Sequence, residues 1–265
     1  CPAVSFVAEE SGQSVELDPT DPTEVSFTVT REKADAAASY NLKVLSNTDD
    51  VFVVPATVDF AAGAKEANVK ATFNNAEVGK TYSFEVALDD EVVNPYKSST
   101  RKSFTFKAVR VKWNSIGTGQ WIDDFWYGFW DEIEIQQRDD KPEYYRVKSL
   151  YTDDFVTSSG SALGTYKDYF VFKVSKDGYV TWDTPLCINT SYQDTGIDIL
   201  GHLPSQLSPD FAGDDAQSVA TYDDEGNIQY LTIAPYWYVG GLGGFGINNL
   251  YLAFPGYDLA SELGF

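Results

Sequence analysis

Short runs of alternating apolar and polar residues fill the first part of the chain. In Ser26-Phe27-Thr28-Val29-Thr30, the side chains of Phe27 and Val29 fall on one face, and Tyr82, Phe84, Val86 and Leu88 do the same further on. Similar runs occupy Val4 to Val7, Ser14 to Leu17, Tyr40 to Leu45, Val51 to Val54, Val58 to Phe60, Val69 to Phe73 and Ser103 to Val111, with turn residues between them. A period of two at this spacing predicts an antiparallel β-sandwich whose core is made by those apolar faces. The alanine-rich stretch Ala34 to Ser39 is short and lies between two strand patterns, so it reads as a loop rather than a helix.

The composition changes near Ala108. All six tryptophans, Trp113, Trp121, Trp126, Trp130, Trp182 and Trp237, follow that point. The strand signal persists there: Glu132 to Arg138 and Tyr144 to Lys148 flank Asp139-Asp140-Lys141-Pro142 as a hairpin. Tyr169 to Val174 with Tyr179 to Trp182, and Ser218 to Tyr222 with Ile228 to Ile233, read as further hairpins. The expectation is an all-β chain, with an N-terminal immunoglobulin-like sandwich over residues 1–108 and a second, antiparallel β-rich and aromatic domain over 109–265. Pro235 to Gly246, rich in glycine, reads either as a mobile binding loop or as an irregular turn before a Leu250 to Phe254 strand. With no lysine after it and no helix predicted, it makes a poor phosphate loop.

Charge removes several partners. The formal net charge of −21 speaks against nucleic acid, which needs a basic face, and against adhesion to an anionic bilayer. No apolar run is long enough to cross hydrocarbon. The chain starts at Cys1 and has no methionine, which we read as the mark of lipoprotein processing, with a lipid on Cys1 as the expected membrane anchor. The other cysteine, Cys187, sits in the apolar Pro185-Leu186-Cys187-Ile188 run and reads as a small buried residue, leaving no disulfide framework.

Two resemblances add to this reading. The Val4-Ser5-Phe6 and Val25-Ser26-Phe27-Thr28-Val29-Thr30-Arg31 strands, the Phe60 to Gly63 turn and the Thr81 to Leu88 strand resemble a Calx-β domain. That implies an immunoglobulin-like sandwich and, for some members, calcium held by acidic loops. The stretch Ile116-Gly117-Thr118-Gly119 through Trp121-Ile122-Asp123-Asp124-Phe125, followed by Pro142-Glu143-Tyr144-Tyr145-Arg146-Val147, resembles lipoproteins of gut Bacteroidetes with a glycine turn, an Asp-Asp-Phe segment and a Pro-x-x-Tyr-Arg strand. It implies an outer-membrane lipoprotein and names no mechanism. Acidic residues often follow the cysteine of surface-exported members. Here Pro2-Ala3-Val4-Ser5 follows and Glu9-Glu10 comes later, so the cell surface and the periplasmic face both stay open.

Among candidate chemistries, binding through aromatic rings leads. Sugar faces are apolar and need flat rings beside polar groups. Trp121, Trp126 and Trp130 lie among Asp123, Asp124 and Asp131, and Trp237 with Tyr238 forms a second aromatic patch. Alternation also sends some of these rings into a core. An acid against aromatic rings can serve as a general acid, so Asp123 or Asp124 supports an alternative reading as a glycoside hydrolase. Asp49 and Asp50, with Asp89, Asp90 and Glu91, follow strands and form a candidate calcium cluster if they meet at one end of the sandwich. The sole histidine, His202, has no nucleophile context, and Ser99 with Lys102 matches a Ser-x-x-Lys spacing by chance. The expected protein is a non-catalytic, lipid-anchored envelope module, not an enzyme. It has no cofactor beyond a possible calcium ion, with the sandwich as spacer and a glycan or an envelope protein as partner. A structural or protein-interaction module with buried aromatics is the rival.

Overall fold

Phe6 and Phe27 from one sheet meet Phe84 and Phe104 from another, with ring centroids 5.5 to 6.0 Å apart. This core belongs to the first of two units, Cys1–Lys112 and Trp113–Phe265, seen in a computed structural model that describes residues 2–7, 12–19, 21–152 and 165–265. Its strands are β1 (Val4–Val7), β2 (Gly12–Leu17), β3 (Glu24–Arg31), β4 (Ala38–Asn47), β5 (Thr57–Phe60), β6 (Glu66–Thr72), β7 (Thr81–Leu88) and β8 (Ser103–Arg110). One sheet runs β1-β3-β6 and the other β2-β8-β7-β4-β5. Along β3 and β7 every second side chain is buried, as the alternation requires.

Three features depart from the sequence pattern. Strand β2 pairs with β8 in parallel, so the sandwich is not wholly antiparallel. Val51 to Val54 forms no strand: Val53 makes a single bridge to Thr72 while Phe52 turns into the core. The change of composition at Ala108 falls inside β8, whose pairing continues to Arg110, and the unit ends at Lys112.

The second unit contains β9 (Trp113–Asp123), β10 (Phe129–Arg138), β11 (Tyr144–Lys148), β12 (Tyr169–Val174), β13 (Val180–Thr181), β14 (Leu186–Asn189), β15 (Ile199–His202), β16 (Val219–Tyr222), β17 (Ile228–Ile233), β18 (Tyr236–Val239), β19 (Gly243–Ile247) and β20 (Leu250–Ala253). Eight of them form an antiparallel sheet in the order β13-β12-β11-β10-β9-β20-β17-β16. A bridge between Tyr179 and Val219 joins its two edges. The N–H of Val180 donates to Ser218 O at 2.9 Å and that of Ala220 to Gly178 O at 2.8 Å, so the sheet curls into a barrel that hides its edges.

Trp121, Ile135, Phe172, Leu231 and Leu252 fill the barrel core, and the four-stranded sheet β14-β15-β18-β19 adds Leu186, Ile188, Trp237 and Val239 to it. On the other face of β9, Ile122 is covered by the helix Leu259–Leu263.

Two glycine-rich stretches are strands rather than turns. Ile116-Gly117-Thr118-Gly119 lies within β9. A Cβ on Gly119 would stand 2.0 Å from Ala253 O on the neighbouring strand, so glycine is there for close approach. The Pro235 to Gly246 stretch is largely the β18–β19 hairpin. Among the described residues no helix is long and apolar enough to cross a membrane.

Candidate functional site

Strand β9 ends at Asp123, which pairs with Phe129 on β10, so residues 124–128 form the connecting loop. Asp123 organises that loop from below. Its Oδ1 accepts backbone N–H groups from Phe125, Trp126 and Tyr127 at 3.1, 2.8 and 3.4 Å. Its Oδ2 accepts the Tyr151 hydroxyl at 2.7 Å, and the Tyr151 oxygen in turn accepts Nε1–H of Trp121 at 3.2 Å. This is the aspartate-capped turn that a short polar side chain favours. Burial pushes the Asp123 carboxyl above its ordinary range, opposed by the hydrogen bonds from Tyr151 and the loop backbone. Burial likewise pushes the Tyr151 hydroxyl well up.

The loop presents Trp126 to a ring of aromatics from its own and other segments. Its centroid lies 5.2 Å from Phe125, 5.1 Å from Phe245, 5.9 Å from Trp237 and 6.3 Å from Tyr192, all in edge-to-face arrangements. Phe125 and Phe245 remain 41% and 39% exposed, and Trp126 is half-buried beneath them. The Trp126 indole N–H is buried with no acceptor among the described residues, a state that costs about 1–3 kcal/mol. Phe245 is carried by β19, where Gly243 and Gly246 hold positive φ values of 117° and 76°.

Beside Phe125 opens a cleft of about 310 Å³ lined by Asp124, Phe125, Gln217, Ile247, Asn248 and Asn249. Its amides are anchored. Gln217 Nε2 donates to Asp214 at 3.0 Å, Asn248 Nδ2 to Phe245 O at 3.2 Å and Asn249 Nδ2 to the Tyr251 hydroxyl at 3.2 Å. Trp237 Nε1 donates to Asn248 O at 3.0 Å, tying the cleft wall to the core. One carboxylate, three side-chain amides and an exposed ring thus share one opening.

The structure sorts the residues named from sequence. Asp124 lines this opening, and Trp126 packs beside it against Phe125 and Phe245. Trp121 and Trp237, 1% and 0% exposed, are core residues and no stacking platform: strand alternation turns both inward, and both indole N–H groups have acceptors. Asp123 is fully buried with both oxygens engaged, so no ligand or substrate reaches it. Trp130 stands exposed on β10 opposite Ile122, on the outer face. Tyr238, next to the inward Trp237, faces the other side of its sheet and meets His202 edge-on at 6.4 Å. Sequence reasoning passed over Tyr192, Gln217, Asn248 and Asn249, noted Phe125 only as a neighbour of the Asp123-Asp124 pair, and noted Phe245 only as part of a glycine-rich stretch.

The two acidic groups of the sandwich do not meet. Strands β4 and β7 are antiparallel neighbours in which Leu42 faces Leu88 and Asn47 faces Phe84. Asp49 and Asp50 therefore follow one end of the pair, and Asp89, Asp90 and Glu91 the other, about 16 Å away at ~3.3 Å per residue. Asp49 pairs with Lys80 at 2.6 Å, Asp89 accepts from Asn41 at 3.0 Å, and Asp90 pairs with Lys102. Among the described residues no group of three or more His, Cys, Asp or Glu side chains is placed to hold a metal ion. Cys187 is buried, and its thiol is pushed up to about 12 by that burial. Half-burial lowers the His202 imidazole below its ordinary value. Cys1 lies outside the described residues.

No family model matches the chain and no curated protein matches it. Among solved structures it is similar to a proposed carbohydrate binding protein from Bacteroides ovatus, at 10% identity and TM-score 0.31, covering 95% of this chain and 74% of that one. It is also similar to an auxiliary nutrient binding protein from Bacteroides thetaiotaomicron, at 9% identity and TM-score 0.29, covering 92% and 89%. A third is the class 5 fimbriae chaperone CfaA, at 13% identity and TM-score 0.27, covering 69% and 100%. At these values the likeness ties the chain to no fold family and no ligand.

Proposed function

We propose that the second unit is a non-catalytic glycan-binding module whose site is the cleft beside Phe125, and that the protein works in the cell envelope. The observation that carries the reading is the pairing of exposed Phe125 and Phe245 rings with a cleft of anchored amides and one carboxylate. An apolar sugar face packs on such rings, and amides and carboxylate take its hydroxyls.

Binding is favoured over hydrolysis by the lining itself. Two-carboxylate glycosidases need a second acid across the scissile bond; among the described residues that line this cleft Asp124 is the one carboxylate, and Asp123 below it is sealed off. A glycan-array screen of the full chain tests the proposal, with tryptophan fluorescence read in the presence of each hit. A hit that shifts the emission and releases no reducing ends supports it. Silence across the array favours a structural or protein-interaction role.

A further inference from the structure

We infer a second ligand site, on the outer wall of the barrel, suited to a carboxylate-bearing sugar. It shares no residue with the cleft beside Phe125. In a chain of formal charge −21, strands β10 to β12 and the turn 139–143 carry Arg138, Lys141, Arg146, Lys148 and Lys173 beside Asp131, Glu132, Glu134, Asp139, Asp140 and Glu143, and the cations of β11 and β12 stand together. Register explains the concentration. Lys148 pairs with Tyr169, Arg146 with Val171 and Tyr144 with Lys173, so cations and rings share the outer face while Val147, Phe170 and Phe172 turn inward.

The cations are held against the rings. Arg138, Lys141 and Lys173 lie 5.9, 5.9 and 5.5 Å from the Tyr144 centroid. Arg146 lies 3.8 Å from the Tyr169 centroid and 4.6 Å from that of Trp113, and Lys148 lies 5.6 Å from Tyr169. Contacts of this kind fix a charge in place before a ligand arrives. Arg138 and Arg146 are buried and already engaged, by Asp140 at 2.7 Å and by Gln136 Oε1 at 2.8 Å, whereas Lys148 and Lys173 are exposed and offer their charge to a ligand. Next to them is a cleft of about 250 Å³, lined among others by Tyr144, Tyr169, Lys173, Thr181, Asp183 and Thr184. It has room for one sugar ring. Lys173 offers an ammonium to a carboxylate, and the threonine and tyrosine hydroxyls with Asp183 offer partners for ring hydroxyls.

The hydroxyl-rich rim argues against an acidic peptide, which would leave it unused. The overall negative charge does not defeat a local site, since at about 0.1 M salt its reach is cut to about 10 Å.

The test is calorimetric titration of the full chain at that salt with trigalacturonate, with neutral galactotriose and triglutamate as competitors. Trigalacturonate is expected to bind and neither competitor to displace it. Lys173→Gln and Lys148→Gln, both at exposed positions, are expected to weaken binding about tenfold, the loss of one charge-assisted contact, with unchanged melting temperature. Phe125→Ala, at the other opening, leaves this binding intact. No heat from trigalacturonate, undiminished binding in both lysine variants, displacement by either competitor, or loss in Phe125→Ala would each overturn the inference.

Discussion

The Tyr151 hydroxyl donates to the Asp123 carboxylate at 2.7 Å inside the second unit, and from that buried contact the loop bearing Phe125 and Trp126 is suspended. Removing the acceptor strands four donors at once. Asp123→Ala is expected to destabilise the unit by on the order of 3 kcal/mol, and Asp123→Asn by less, since an amide oxygen keeps the loop bonds. Urea unfolding measures both; a loss under about 1 kcal/mol for the alanine variant would show that the contact does not hold the loop.

The same carboxyl gives the protein an acid-range signature. Burial raises its folded value above the unfolded one. Between the two the folded state binds more protons, so this contribution is fully present below the unfolded value and is lost as pH rises through the folded value. The wild type should therefore gain stability relative to Asp123→Asn as pH falls through that window. A difference between the two proteins that stays flat with pH contradicts the assignment.

Gly119 tests the packing of the barrel wall. An alanine there places its methyl 2.0 Å from Ala253 O and 2.7 Å from Ile135 Cδ1, and backbone on one side leaves little room to yield. Gly119→Ala is expected to cost about 2–3 kcal/mol or more in urea unfolding, whereas Gly226→Ala, in an open turn at φ 85°, pays only for its backbone conformation, about 1–2 kcal/mol.

The contrast between these glycines shows where sequence was readable. Alternation at Phe27 and Val29 or at Tyr82 to Leu88 gave strands and their buried faces, because a period of two depends only on local geometry. Gly117 and Gly119 looked like a turn because glycine marks turns; the reasons here are a positive φ of 122° against Pro255 for Gly117 and the close approach of β20 for Gly119, and no local pattern carries a neighbour so distant in sequence. The same limit hid the site. Asp124 and Trp126 were visible as acid beside ring, but Gln217, Phe245, Asn248 and Asn249 reach them only through the barrel's closure and the β18–β19 hairpin. Trp121 and Trp237 were misplaced because composition does not say which side of a strand faces in.

Register also decides a question about calcium. With Asn47 opposite Phe84 and Leu42 opposite Leu88, no single ion spans Asp49-Asp50 and Asp89-Asp90-Glu91. Calcium titration of the wild type and of Asp49→Asn/Asp50→Asn is predicted to give the same thermal-shift response at the Asp89 end. A response in the wild type that both ends are needed to produce would contradict the strand pairing.

The most direct test of the account is titration of the strongest array hit against wild type, Phe125→Ala/Phe245→Ala and Trp130→Phe, followed by tryptophan emission. Binding is expected to weaken about five- to 150-fold in the phenylalanine double variant, from two lost ring contacts of about 0.5–1.5 kcal/mol each, with Trp130→Phe matching wild type in affinity. Unchanged affinity in the double variant, or loss confined to Trp130→Phe, would place the glycan elsewhere and contradict it.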